Sequence, residues 1–122
     1  AANPESIIRA LESSGYYVFP DLLVSDAQGG VSIKIKPAHL QVLVDVLNAK
    51  PNWTLAVVGH DYAPVALAVQ QKSSLAYAEQ LKAALQEVGV KADRLVPYGL
   101  GGLAPAGRGD RTGRVELVKI DP

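Results

Sequence analysis

The chain has 122 residues, which is enough for one domain with a hydrophobic core and too few for two. Twelve basic and twelve acidic side chains cancel, so no net electrostatic field favours nucleic acid or an anionic membrane surface. The chain has no cysteine, which excludes disulfides, thiol catalysis and cysteine metal sites. No apolar run approaches the about 20 residues that a membrane-spanning helix requires, so we expect no membrane insertion by this segment.

The N-terminal segment predicts a short helix over about residues 4–14. Asn3 can cap this helix, because its side-chain oxygen can accept a hydrogen bond from the first turn, and Pro4 suits the first helical position. Gly15 then suits the left-handed conformation in which many helices end.

Two extended segments follow the first helix. Residues 16–24 are rich in aromatic and branched side chains and predict extended backbone, interrupted by Pro20. A turn is predicted over residues 26–30, which include two glycines. Residues 31–35 alternate apolar and polar side chains, which is typical of a half-buried strand.

Two further helices are predicted because apolar residues recur at helical spacing. The shorter one starts at Pro37, and the longer one lies between about Pro64 and Val88, where Gly89 ends it. The predicted core stripe of the shorter helix consists of Leu40, Leu43, Val44 and Leu47. That of the longer helix consists of Leu75, Ala78, Leu81, Leu85 and Val88.

A buried strand is predicted between these two helices. Residues 54–58 are apolar or β-branched throughout, which is typical of a strand covered on both faces. Gly59, His60 and Asp61 follow, and we interpret them as a turn in which the glycine lets the backbone bend. Because α/β proteins place ligand sites at the ends of central strands, this turn is a candidate functional site.

The C-terminal part predicts two more strands. Leu95 and Val96 begin a short extended segment, residues 99–113 form a glycine-rich loop, and residues 115–120 alternate as in a strand. The order of elements predicts an α/β fold, an α+β sandwich with a βαβαββ core over about residues 16–120. Its helices pack on one face of a mixed sheet, and the N-terminal helix is an addition to this core.

Six short motifs occur in the order that one known family shows. They are Lys36-Pro37-Ala38-His39-Leu40, Ala49-Lys50-Pro51-Asn52-Trp53, Val57-Val58-Gly59-His60, Gln86-Glu87-Val88-Gly89-Val90 with Arg94-Leu95, Tyr98-Gly99-Leu100-Gly101 with Pro105, and Gly113-Arg114-Val115-Glu116-Leu117-Val118. Together they resemble the OmpA-like C-terminal domain, which binds peptidoglycan in the periplasm of Gram-negative bacteria. The resemblance implies one domain over residues 1–122, in a periplasmic cell-envelope protein without cofactor or nucleic-acid partner.

The chain departs from the family at the two residues that hold its ligand. The resemblance implies an aspartate and an arginine that grip the diaminopimelate of the peptidoglycan stem peptide, which is sound chemistry because arginine pairs well with a planar carboxylate. Counted from His60 without a gap, the aspartate position falls on Tyr62 and the arginine position falls on Tyr77. A phenol replaces neither a carboxylate nor a guanidinium, so the usual ligand aspartate and arginine are missing.

Other positions of the family motif are partly kept. The serine of the long helix falls on Ser74, and the asparagine that precedes this helix falls on Gln70. The closing pair of arginines falls on Gly113 and Arg114, so one arginine is lost. Asp61 stands one position before the family aspartate, and it could take that role only if the turn is shifted, because successive residues of an extended segment point in opposite directions.

Two functions remain open after this comparison. The first is a non-catalytic peptidoglycan-associated module whose binding is weakened or lost, with Asp61, Arg114 and Arg108 as candidate ligand residues for the stem peptide. The second is a degenerate protein-interaction or assembly domain without cell-wall binding. Tyr62 and Tyr77 favour this second function, because an exposed tyrosine pair suits a protein interface.

Catalysis and metal binding have little support in the sequence. His60 and Asp61 are adjacent, and Ser73 and Ser74 lie further along the chain, but a catalytic triad needs side chains that converge in space. We therefore expect no enzymatic activity. A metal site could draw only on His39 and His60, without a ligand-spaced cluster, so we expect no metal.

Overall fold

The computed structural model of this chain describes residues 3–28, 30–103 and 113–120. These ranges contain three α-helices, six strands and one short 3-10 turn. In chain order they are α1 (Pro4–Ser14), β1 (Tyr16–Phe19), β2 (Leu23–Ser25), β3 (Val31–Ile33), α2 (Pro37–Ala49), β4 (Thr54–Asp61), α3 (Leu67–Glu87), the 3-10 turn (Ala92–Arg94), β5 (Leu95–Gly99) and β6 (Gly113–Ile120).

The N-terminal helix has the ends that its sequence predicts. The side chain of Asn3 accepts a hydrogen bond from the backbone N–H of Ser6 at 2.9 Å, and the Ser6 hydroxyl accepts one from the backbone of Asn3. Gly15 ends the helix with φ of 84°, a left-handed conformation that favours glycine. The helix buries Ile7 and Leu11 against the rest of the core.

The main sheet has four strands in the order β1-β6-β4-β5. β4 and β5 are parallel, whereas β1 and β4 both pair with β6 in antiparallel fashion. The sheet is therefore mixed, as predicted. β2 and β3 form a separate antiparallel hairpin.

The helices pack against this mixed sheet and enclose the core, which confirms the predicted fold class. α3 lies on β4 and β5, while α1 contacts α2 and β1. The fully buried side chains include Ile7, Leu11, Leu22, Leu43, Val46, Leu55, Leu81, Leu85, Leu95 and Leu117. Fully burying one such side chain contributes about 1.5–3 kcal/mol, so this layer is the main source of stability.

The central strand is longer than the sequence predicts. β4 continues through Gly59, His60 and Asp61, which we interpreted from sequence as a turn. His60 and Asp61 stay in the sheet because they pair with Arg114 and Gly113 of β6. The predicted turn is therefore the paired end of a strand.

The long helix differs from its prediction in its start and in its core face. α3 begins at Leu67, and Leu75 and Val88 are 37% and 51% exposed, so neither belongs to the core. Ser74 and Tyr77 are buried instead, together with the predicted Ala78, Leu81 and Leu85. Of the helices in the described ranges, none is both long enough and apolar enough to cross a bilayer.

Candidate functional site

The end of β4 presents different side chains to the two faces of the sheet. Because side chains alternate along a strand, Gly59 and Asp61 face α3, whereas His60 faces the side away from the helices. Val58 is on the same side as His60, and its partners across the sheet are Glu116 and Tyr98. The helix side and the open side of this strand end are therefore separate environments.

On the helix side, glycines let α3 lie directly on the strands. A Cβ atom at Gly59 would overlap the carbonyl oxygen of Ser74, and one at Gly99 would overlap the backbone of Leu75 and Gln71. The glycine of the VxGH motif is thus required by close packing of helix on sheet, and not by a bend in the chain.

Ser74 and Gln70 of α3 hold the neighbouring loop in place. The hydroxyl of Ser74 accepts a hydrogen bond from the N–H of Gly101 at 2.9 Å. The side chain of Gln70 accepts one from the N–H of Gly102 at 3.0 Å and donates one to the carbonyl of Ala63 at 2.8 Å. These two side chains therefore fix the loops on both sides of the strand end.

Asp61 is a buried carboxylate at the end of β4. The residue is 4% exposed, and its Oδ1 accepts a hydrogen bond from the N–H of Ala63 at 2.9 Å. Its own N–H donates to the carbonyl of Gly101 at 3.0 Å. Among the described residues, no cationic side chain forms an ion pair with it.

Tyr77 lies beside Asp61 and is also buried. Burial raises the pKa of the Tyr77 hydroxyl, and the negative charge of Asp61 raises it further. Tyr77 is only 7% exposed, so it offers almost no surface to a partner. The structure thus brings Asp61 and Tyr77 together, and Tyr77 is the residue that counting from His60 predicts at the family's arginine position.

On the open side, four polar side chains form a connected cluster, His60, Tyr62, Arg114 and Glu116. His60 Nε2 hydrogen-bonds to Glu116 Oε1, and Arg114 Nη2 lies 3.4 Å from the same oxygen. Arg114 Nη1 donates to the Tyr62 hydroxyl at 3.0 Å. The rings of His60 and Tyr62 stack with centroids 6.2 Å apart and planes inclined by 14°. Hydrogen bonds therefore link His60 to Glu116, Glu116 to Arg114, and Arg114 to Tyr62.

Burial and neighbouring charges in this cluster shift the pKa of the Glu116 carboxyl. The hydrogen bond with His60 lowers the pKa of the Glu116 carboxyl below its ordinary 4.5, burial acts in the opposite direction, and Arg114 lowers it further. His60 is 1% exposed, and its Nδ1 has no hydrogen-bond partner within the part of the chain that the structure describes. An ionised Glu116 is consequently the preferred state in the folded chain.

The structure separates the candidate ligand residues that the sequence predicted. Asp61 lies on the helix side with Tyr77, whereas Arg114 lies on the open side with Tyr62. Arg108 lies outside the described residues. Sequence reasoning missed Glu116, although its position in an alternating strand, between the buried Val115 and Leu117, could have indicated a side chain on the open face.

The described residues of the site offer no grouping suited to a metal ion. Within residues 3–28, 30–103 and 113–120, no three histidine or carboxylate side chains come close enough to bind one together. The described polar groups offer one buried carboxylate on the helix side and a hydrogen-bonded cluster on the open side. Such groups can hold a ligand by charge, but they show no nucleophile activated by a neighbouring base.

Comparison with known proteins identifies the fold of this chain but does not assign it to a family. No protein-family model matches the sequence, and no curated protein does. Solved structures do match, among them the crystal structure of a MotB-like protein from Desulfovibrio vulgaris, with a TM-score of 0.63. The sequence identity is 16%, over 97% of this chain and 91% of that chain. The mixed α+β architecture is consistent with the OmpA-C-like fold of this neighbour.

Proposed function

We propose that this chain is a single non-catalytic domain of a periplasmic cell-envelope protein, and that its association with peptidoglycan is weakened or lost. The OmpA-C-like scaffold and the motifs from Lys36 to Val118 support the envelope role. The weakening is supported by the two tyrosines that occupy the positions of the family's ligand residues. The observation that carries the proposal is that Tyr77, at the position that the resemblance implies for the family's arginine, is a buried phenol beside Asp61.

The expected loss of affinity follows from the contacts that are missing. A hydrogen bond to a charged group contributes about 1.5–3 kcal/mol, so the loss of two such contacts weakens binding by about two to four decades. Tyr62 does not compensate, because its hydroxyl accepts a hydrogen bond from Arg114 on the other side of the sheet. Arg114 is itself engaged with Glu116.

Asp61 is the residue through which some binding survives under this proposal. Its carboxylate forms no ion pair with a described cation and lies next to the position of the family's arginine, so it is the remaining group for a ligand ammonium. Its burial limits access, and no described arginine is paired with it to add affinity. Residual binding is therefore expected to be weak and to depend on Asp61.

A second candidate function is protein interaction or assembly without cell-wall binding. The sequence favours this function through an exposed pair formed by Tyr62 and Tyr77, but Tyr77 is buried and cannot form an interface. The open face of the sheet supports this function instead, because Tyr16, Val18 and Tyr98 are 50%, 41% and 47% exposed there. Exposed aromatic and branched side chains on one face favour contact with another protein.

Sedimentation with purified sacculi tests the proposal. The wild-type chain is expected to bind at low salt with a dissociation constant weaker than about 0.1 mM, or not at all. Any binding should disappear in Asp61→Asn and persist in Asp93→Asn, a matched control because Asp93 is an exposed carboxylate at the opposite end of the sheet. Saturable binding in the low micromolar range would contradict the proposal.

A further inference from the structure

The opposite end of the central strand carries a second cluster of polar groups. Trp53 immediately precedes β4, whose eight residues place this end about 23 Å from Asp61. A cavity of about 280 Å³ lies there, lined by Trp53, Arg94 and Lys91 among others. None of these residues takes part in the candidate site around Asp61 or in the cluster around Glu116.

Arg94 is held in place at this cavity by hydrogen bonds to backbone carbonyls. Its Nε donates to the carbonyl of Trp53 at 3.1 Å, and its Nη2 donates to the carbonyls of Lys50 and Trp53 at 2.6 and 3.0 Å. Within the described part of the chain, the guanidinium forms no ion pair and Nη1 makes no hydrogen bond. Three hydrogen bonds to carbonyls fix the orientation of the guanidinium before a ligand binds, so binding loses little side-chain conformational entropy.

The rest of the cavity lining supplies mainly donors. Lys91 adds an ammonium, Asn52 adds a side-chain amide and Thr54 adds a hydroxyl. Among the described residues of the lining, Asp93 is the one carboxylate. With Lys91 and Arg94 set against Asp93, these described residues carry a net charge of one positive unit.

Two further lysines lie near the indole ring. The ammonium groups of Lys50 and Lys119 each lie 5.4 Å from the centroid of the Trp53 ring, within the range of cation–π interactions. Lys50 also pairs with Glu12 at 3.3 Å, which offsets part of its charge. The indole therefore borders the cavity and also contacts two cationic groups.

We propose that this cavity binds a phosphoryl group. A phosphate offers three or more acceptor oxygens and up to two negative charges, which match the guanidinium, ammonium, amide and hydroxyl of the lining. A carboxylate has two oxygens and one charge, so it uses fewer of these donors and is attracted less strongly by Arg94 and Lys91. The phosphoryl group comes either from a soluble phosphate compound or from a lipid headgroup.

The fluorescence of Trp53 reports on this site directly, because it is the one tryptophan of the chain. The whole chain is titrated with inorganic phosphate at constant ionic strength, with chloride as the reference salt. A parallel titration uses phosphatidylglycerol vesicles, with phosphatidylcholine vesicles as the reference. A saturable change with phosphate indicates a soluble source, and a saturable change with phosphatidylglycerol alone indicates a lipid headgroup.

Variants distinguish this site from general charge effects. Lys91→Gln is expected to weaken the saturable response about three- to tenfold, whereas Lys72→Gln, an exposed lysine on α3, leaves it unchanged. Arg94→Lys keeps the charge and loses the fixed guanidinium, so it should weaken the response further, with the fold checked by circular dichroism. Lys91 is exposed and carries none of these backbone contacts, so its variant tests the proposal even if Arg94→Lys unfolds.

Two results would overturn the proposal. One is the absence of a saturable change in both the phosphate and the phosphatidylglycerol titrations. The other is a response that is identical in Lys91→Gln and Lys72→Gln. Neither result depends on peptidoglycan binding, so the outcome is independent of the function proposed for the other end of the sheet.

Discussion

Glu116 is the side chain that connects the polar cluster on the open face of the sheet. It bonds to His60, which is almost completely buried, and it lies 3.4 Å from the guanidinium of Arg114. These contacts favour the ionised carboxylate in the folded chain, which is why the pKa of Glu116 is lowered. A lowered pKa links the stability of the fold to pH.

Replacing Glu116 by glutamine should destabilise the fold near neutral pH and flatten its response to acid. Because the folded pKa lies below 4.5, the carboxylate's contribution is complete above about pH 4.5 and is lost as the pH falls through the lowered value. Glu116→Gln is expected to cost about 1–3 kcal/mol at pH 7. Urea unfolding at several pH values from about 3 to 7 measures both effects.

Glu79→Gln is the matched control for this experiment, because Glu79 is exposed on α3. It should leave the stability at pH 7 within about 0.5 kcal/mol of the wild type. If the wild type and Glu116→Gln lose stability in parallel below pH 4.5, the proposed role of this carboxylate is wrong.

Counting along the sequence from His60 predicts which residues lie at the site, but it does not predict what surrounds them. The positions of Tyr62 and Tyr77 relative to His60 follow from the motif alone. The side of the sheet that each side chain faces depends on how far β4 remains paired with β6. That pairing separates Asp61 from Arg114, and no local pattern in the sequence shows it.

At the level of elements, the contact between α3 and the strands depends on two glycines. Gly59 and Gly99 let the helix backbone touch the sheet, and Ser74 uses this closeness to reach the loop at Gly101. The helix cannot keep its position if either strand carries a side chain at these points. The sequence pattern predicts a turn at Gly59 because glycine favours turns, but glycine also occurs where two backbones approach closely, and the sequence alone does not distinguish these cases.

Gly59→Ala should therefore destabilise the fold strongly. The new methyl group overlaps the Ser74 carbonyl oxygen, so α3 must move, and overpacking of this kind costs about 3 kcal/mol or more. Gly89→Ala is the comparison, since its φ of 104° disfavours alanine but nothing lies within 4 Å of the added atom. That variant should cost about 1 kcal/mol. Equal losses in urea unfolding would contradict the packing role of Gly59.

Periodicity predicted the kinds and order of the elements better than their ends and buried faces. The helical spacing of apolar residues correctly predicts that α2 and α3 are helices, although α3 begins later than expected. The alternation of apolar and polar residues correctly predicts that β6 is a strand. The same rule assigned Leu75 and Val88 to the core, although the helix turns Ser74 and Tyr77 inward. The buried face of α3 is set by the position of the glycines beneath it, which is a tertiary property.

At the level of the whole molecule, the two ends of the central strand carry different chemistry. The end at Asp61 has a buried carboxylate beside Tyr77 on the helix side and the hydrogen-bonded cluster around Glu116 on the open side. The end at Trp53 has a fixed guanidinium beside a donor-lined cavity. The scaffold is kept at 16% identity to its structural neighbour, because the core needs apolar volume and close helix contacts more than particular side chains.

The most direct test of the central claim is a nuclear magnetic resonance titration with a soluble stem peptide that contains diaminopimelate. Up to about 0.1 mM peptide, we expect shifts at the amides of Asp61, Ala63 and Tyr77 that are absent or less than half of their saturating value. Saturating shifts at these amides, with a dissociation constant below about 0.1 mM, would contradict the proposal that binding of the stem peptide is weakened or lost.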